Sequence, residues 1–306
     1  MDRRDFLRVG AASAAALAFP GAVQAAPRGN VAGPDGDRMR GHFSMTQISS
    51  VLNTHGNAYL FQTRGGKVVM VDGGFEAEAG HVRELLWKAG NHVDLWFISH
   101  PHRDHMGAFD EILKDPQGIS VDKVVYSRVP DSYLDLEGEA GYARGYYRTL
   151  DSLPAGSTDV VNLHNTGQRF DIDGIGIKVL GGSNPEIRVN PYNNQSVVIR
   201  LWDDSKSVVL LGDAGIEAGD KLLASPHRAW LDCDYMQMAH HGQSGCSEAF
   251  YKAIDFRACL WPAPMWLWEP APQHAHLKTR ETRRWMDEKG ITEHHVACLE
   301  VDWVLE

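Results

Sequence analysis

In the run Ser99-His100-Pro101-His102-Arg103-Asp104-His105, four side chains able to bind metal sit within six residues, straight after the apolar stretch 93–98. Alternate residues of an extended segment point to the same side, so His100 and His102 can hold one ion together. Asp104 and His105 follow where the chain must turn, and can face a second ion beside the first. Gly107 then opens a segment with helical spacing, Phe109, Ile112 and Leu113. A tight turn between strand and helix loaded with imidazole and carboxylate is a metal site by composition.

Other chemistry-bearing residues follow apolar runs of their own. Asp72-Gly73-Gly74 ends the run 68–71, Gly212-Asp213 ends 207–211, and His240-His241-Gly242 follows 235–239. Taken in order, His100-x-His102-x-Asp104-His105, Asp72, Gly212-Asp213 and His240-His241-Gly242 resemble the metallo-β-lactamase superfamily, from about residue 50 to 245. The resemblance implies an α/β fold, a four-layer αβ/βα sandwich of two mixed sheets with helices outside. The metals would lie at one edge of the sheets.

By the same resemblance, His100 and His102 would bind the first ion, and Asp104 and His105 the second. Asp213 would bridge them, since a carboxylate can span two cations while offsetting their repulsion; its other reading is a cap for the following helix. His240 or His241 would complete the second site. The expectation is His241 as ligand and His240 as substrate or leaving-group contact. Asp104 and His240 are the expected catalytic residues. Asp72 would fix the tautomer of a ligand histidine, or else simply end a strand in a turn.

One position departs from the family pattern. The histidine expected ahead of the bridging aspartate is replaced by Pro191-Tyr192-Asn193-Asn194-Gln195-Ser196. Asn193 or Asn194 would stand in its place, and an amide oxygen is a weaker zinc ligand. Asn-x-x-Ser here, with His-His-Gly-Gln-Ser later, resembles the branch holding the competence-protein hydrolase domain and the phosphorylcholine esterases. His164 is a rival ligand but comes early, and suits a surface turn. His55, in a loop before a strand, reads as an ordinary loop histidine, with an approach to the metals as the alternative. The reaction implied is hydrolysis by a metal-bridging hydroxide on a phosphodiester or phosphorylcholine-like small-molecule ester. The alternatives are a carbonyl hydrolase acting on lactone, β-lactam or thioester, and a non-catalytic module with a vestigial site. Two divalent ions are expected, zinc first, with manganese or iron as alternatives.

The elements that must position these residues are legible in outline. Strands are expected at 51–52, 58–61, 68–71, 93–98, 121–126, 160–163, 169–172, 175–180, 196–202, 207–211, 235–239, 258–261 and near 294–303. Helices are expected at 76–89, 107–114, 216–223, 247–254 and 277–289. The segment 131–156, rich in Tyr, Gly and charge, reads as a helical insertion over the site. Trp261, Trp266 and Trp268 with three prolines form a stiff aromatic loop that could wall a pocket or simply pack.

Composition bounds the rest. The 306 residues are 43% hydrophobic, enough for a sizeable core, and carry a formal charge of -10. That balance disfavours an extended nucleic-acid surface. Residues 1–25 have paired arginines, an alanine-rich stretch and a small-residue site, Val23-Gln24-Ala25. This layout resembles a twin-arginine signal, implying the twin-arginine export machinery as partner and a periplasmic or secreted enzyme. Residues 26–41 read as a linker and 42–306 as the hydrolase domain. No stretch beyond the signal is long and apolar enough to span a bilayer.

Overall fold

Val68–Asp72, Leu95–Ile98, Val198–Trp202 and Ser207–Leu210 are buried at every position. Unbroken burial marks strands covered on both faces. In the computed structural model, which describes residues 33–274, 276–297 and 302–306, those strands belong to two mixed seven-stranded sheets. The first runs Trp303–Leu305, Phe43–Gln47, Ala58–Thr63, Val68–Asp72, Leu95–Ile98, Lys123–Tyr126, Asp159–Asn162. The second runs Glu293–Val296, Ala258–Trp261, Tyr235–Gln237, Ser207–Leu210, Val198–Trp202, Ile175–Gly181, Arg169–Ile172. The segment 1–25, the linker residues 26–32 and Cys298 lie outside the described residues.

Alternate strand residues go to different layers. Val69, Val71, Leu95 and Phe97 share a core with Ile177, Ile199, Val208 and Leu210 of the opposite sheet. Met70, Trp96 and Ile98 instead pack with Val82, Leu86, Phe109 and Ile112 of the helices Ala79–Lys88 and Arg103–Lys114. The second sheet is covered likewise, by Ala218, Leu222, Phe250 and Met286. The result is the expected four-layer sandwich, helices outside. No described helix is long and apolar enough to cross a membrane.

Several expectations need correction. Val51 and Leu52 are not a strand but an exposed turn. The strand is Phe43–Gln47, which alternates buried and half-buried residues and pairs antiparallel with Ala58–Thr63. The stretch 294–303 is not one strand: Glu293–Val296 joins the second sheet and Trp303–Leu305 pairs with Phe43–Gln47 in the first. The helix expected from Gly107 starts at Arg103, so Asp104 and His105 lie in its first turn. An aspartate there is favoured by the helix dipole. Position 107, inside that helix, takes glycine because a Cβ would lie 2.5 Å from the Glu76 backbone nitrogen.

Candidate metal centre

The donors stand at the ends of neighbouring strands. Asp72 is the last residue of its strand, His100 follows Leu95–Ile98, Asp213 follows Ser207–Leu210, and His240 follows Tyr235–Gln237. The backbone is strained there: Asp72, His240 and His241 have φ of 55°, 53° and 56°, left-handed values that non-glycine residues rarely adopt.

Each inner imidazole is held by its outer nitrogen. Asp72 accepts from His105 Nδ1 at 2.7 Å and from Ser99 N and Oγ at 2.7 and 2.8 Å. Since the Ser99 hydroxyl donates to Asp72, it accepts from His100 Nδ1, 3.0 Å away. The Pro262 carbonyl accepts from His241 Nδ1 at 3.0 Å, and the Glu137 carboxylate from His102 Nε2 at 2.7 Å. The remaining nitrogens, His100 Nε2, His102 Nδ1, His105 Nε2 and His241 Nε2, therefore face inward, where a metal ion could take the place of any proton they carry.

These atoms converge on Asp213 in two groups. Asp104, His105, Asp213 and His241 place one ligand atom each within 4.8 Å of one another, and His100, His102 and Asp213 do the same. Asp213 Oδ1 lies 3.1 Å from His105 Nε2, while Oδ2 lies 3.5 Å from His241 Nε2 and 3.9 Å from His100 Nε2. His105 Nε2 and Asp213 Oδ1 are buried yet make no hydrogen bond of good geometry. Buried polar atoms without partners are costly, and a cation would satisfy both. The donor set of imidazole and carboxylate fits a divalent transition metal.

The electrostatics show the same crowding. Burial alone would raise the Asp104 pKa, but the His105 and His241 imidazoles hold it well below the carboxylate range. Burial disfavours the His241 cation, but Asp213 and Asp104 outweigh it and raise its pKa to about 9. His100, buried and beside His105, is pushed down.

A model of the metallo-beta-lactamase superfamily matches residues 51–243, which hold every donor just described. The chain belongs to that superfamily. Among solved structures, the metallo-beta-lactamase fold protein YhfI from Bacillus subtilis is 14% identical over 87% of this chain and 100% of its own, with a TM-score of 0.53. A Cronobacter sakazakii metallo-beta-lactamase is 18% identical over 53% of this chain and 59% of its own, TM-score 0.35. A subclass B3 metallo-beta-lactamase of Bradyrhizobium japonicum is 16% identical over 52% of this chain and 56% of its own, TM-score 0.34. No curated protein sequence matches significantly.

Within this superfamily the departures are now concrete. Asn194 is occupied structurally: its Oδ1 accepts from Gly215 N and Ala218 N at the start of the helix Ile216–Ala224. Asn193 is different. It is buried and its Oδ1 has no partner, between Tyr192, whose ring is 5.1 Å from His102, and Ser196, whose Oγ is 3.4 Å from His100 Nδ1. His164 is exposed. Of the histidine pair, His241 enters the buried cluster. His240 remains 25% exposed, its Nε2 3.8 Å from Asp213 Oδ2.

Two further contacts shape the site. His55 is no ordinary loop histidine: Nε2 is 3.3 Å from Asp104 Oδ2, and the ring lies 5.0 Å from His241 and 5.8 Å from Trp266. Burial and the neighbouring His241 lower its pKa to about 4. Its loop is pinned by Glu78, which accepts from Ser50, Val51 and Thr54, and by Trp266 donating to Asn53. Glu137 lies in the 131–156 insertion, 35 residues beyond His102, and no motif spacing points to it. Trp261 and Trp268 pack against each other, so of the three tryptophans it is Trp266 that borders the site, beside His55.

Proposed function

We propose that the chain is an exported binuclear metallohydrolase, acting on a phosphodiester or phosphorylcholine-like small-molecule ester. The observation that carries the binuclear reading is Asp213, whose carboxylate belongs to both donor groups. His100 and His102 would hold one ion, with Asn193 Oδ1 standing in for the family's further histidine. Asp104, His105 and His241 would hold the other. Bound there, divalent ions would supply Lewis acidity and lower the pKa of water towards about 7.

The chain's own groups do the rest. Asp72 and Pro262 hold the donor imidazoles in one orientation. Asp104, itself one of the second group and kept ionised by its neighbours, would also accept a proton from the attacking water. His240 and His55, both partly exposed, flank the buried cluster and are placed to touch substrate and leaving group. Zinc is the preferred ion, with manganese or iron able to use the same donors. The signal-like residues 1–25 support delivery to the periplasm by the twin-arginine machinery.

A substrate screen with metal analysis tests this reading. The purified mature protein should hold about two equivalents of zinc and hydrolyse bis-aryl phosphate or phosphorylcholine esters. Turnover confined to lactone or β-lactam would move the assignment to carbonyl chemistry. A folded protein that takes up no metal would leave only the non-catalytic module. For export, Arg3→Lys with Arg4→Lys should retain the protein in the cytoplasm; normal export of that variant counts against the twin-arginine route.

A further inference from the structure

The insertion 131–156 reaches the first donor pair through the side chain of Glu137. Glu137 Oε2 accepts from His102 Nε2 at 2.7 Å, and Glu137 Oε1 accepts from the Tyr192 backbone N at 2.8 Å. Tyr192 is tied to the same insertion again, its hydroxyl donating to the Leu134 carbonyl at 2.8 Å. The Arg103 backbone N, next to His102, donates to Glu139 Oε2 at 3.0 Å. A single carboxylate thus spans two separate segments, the helix start that carries His102 and the turn that carries Asn193. It is only 17% exposed, so water competes poorly for it.

The two contacts do different work. Accepting at Nε2 leaves the His102 lone pair on Nδ1, the atom that faces His100 Nε2 at 2.9 Å. Accepting from Tyr192 N fixes the residue immediately before Asn193, whose buried Oδ1 has no other partner. An amide oxygen is a poorer donor than imidazole, so a pocket relying on it gains more from preorganisation.

From this juxtaposition we propose that Glu137 is a positioning residue for the first metal ion, latching His102 and the Tyr192–Asn193 segment into one pocket. The proposal rests on the binuclear reading above. It gives the insertion a task in metal retention at one site and none at the other.

Chelator-competition titration with zinc, followed on wild type, Glu137→Ala, Glu137→Gln and His102→Ala, decides it. Wild type should bind two equivalents. Glu137→Ala should bind one equivalent as wild type does and the other about 10–100-fold more weakly, the range seen when an outer hydrogen-bond partner is removed. Glu137→Gln should fall between, because its single amide oxygen can replace one contact but not both. His102→Ala should lose the same equivalent. If Glu137→Ala does not fold, Glu137→Gln carries the test alone. Wild-type affinity at both sites in the folded variants, or equal loss at both, overturns the proposal. Wild type binding no zinc, or His102→Ala binding two equivalents, would instead overturn the binuclear reading beneath it.

Discussion

At the scale of single residues, the buried donors are crowded in a way that only a cation or a proton relieves. His241 is the clearest case. With its pKa raised to about 9 in the metal-free chain, an incoming ion must displace a proton at neutral pH. Metal affinity should therefore climb with each pH unit through neutrality and level off only above about 9; for an imidazole of ordinary pKa 6.5 it would level off near 7. For the metal-free protein the sign reverses. The raised His241 contributes stability that is fully present below about 6.5 and is lost as pH rises through about 9. Competition titrations at pH 6 to 9 check this, and a plateau at pH 7 would contradict it. His55 makes a complementary case. It touches Asp104 but belongs to neither tight donor group. His55→Ala should keep full metal content and lose turnover by about tenfold, the worth of one substrate hydrogen bond. A drop in metal content would make His55 a ligand instead.

At the scale of elements, glycines decide how closely segments approach. Gly242 has φ +80°, and a Cβ there would lie 2.3 Å from the Trp261 ring. Gly290 has φ +82° at the end of the helix Thr279–Lys289, but open space around it. Gly290→Ala should cost stability alone, about 1 kcal/mol. Gly242→Ala carries the same backbone strain plus a clash, roughly 1–3 kcal/mol more, and must also displace the adjacent His241. Urea midpoints with zinc stoichiometry on both variants separate the two; intact zinc binding in Gly242→Ala would show that the turn is not rigid. The same elements mark what the sequence could reveal. Strands buried on both faces announce themselves as apolar runs, and the ligand motifs sit at their ends. The start of the helix at Arg103 was hidden because Gly107 looks like an opening residue, and its packing against Glu76 is invisible without the second segment. Phe43–Gln47 went unread because its alternate polar residues dilute the apolar signal, whereas Val51-Leu52 looked like strand without having a partner. Asn57 and Ser99 meet Asp72 across 15 and 27 residues, and Glu137 meets His102 across 35, so no spacing rule finds these contacts.

At the scale of the whole molecule, the centre joins two halves. Asp72, His100, His102, Asp104 and His105 come from the first sheet and its helix; Asn193, Asp213, His240 and His241 come from the second. Between the sheets lies an apolar layer that contains no donor, so the fold does not depend on metal for its core. At the site edge the halves touch through polar contacts: Val197 N donates to Ser99 O at 2.8 Å, and His241 meets Asp104 at 2.9 Å. Without a cation, that edge holds buried carboxylates and imidazoles facing each other. Chelation should therefore lower the melting temperature without unfolding the protein at 25 °C. An ion at a hundred times its Kd contributes about 2.7 kcal/mol, which for a chain of this size is a shift of roughly 5 °C. The loss should be local as well as global. Hydrogen exchange should quicken at 99–105 and 240–245, while amides of Val69 and Val208, in the central layer, keep their protection. Uniform quickening across both sheets would show that the ions hold the core together, and an unchanged melting temperature would show that they do not bridge the halves at all.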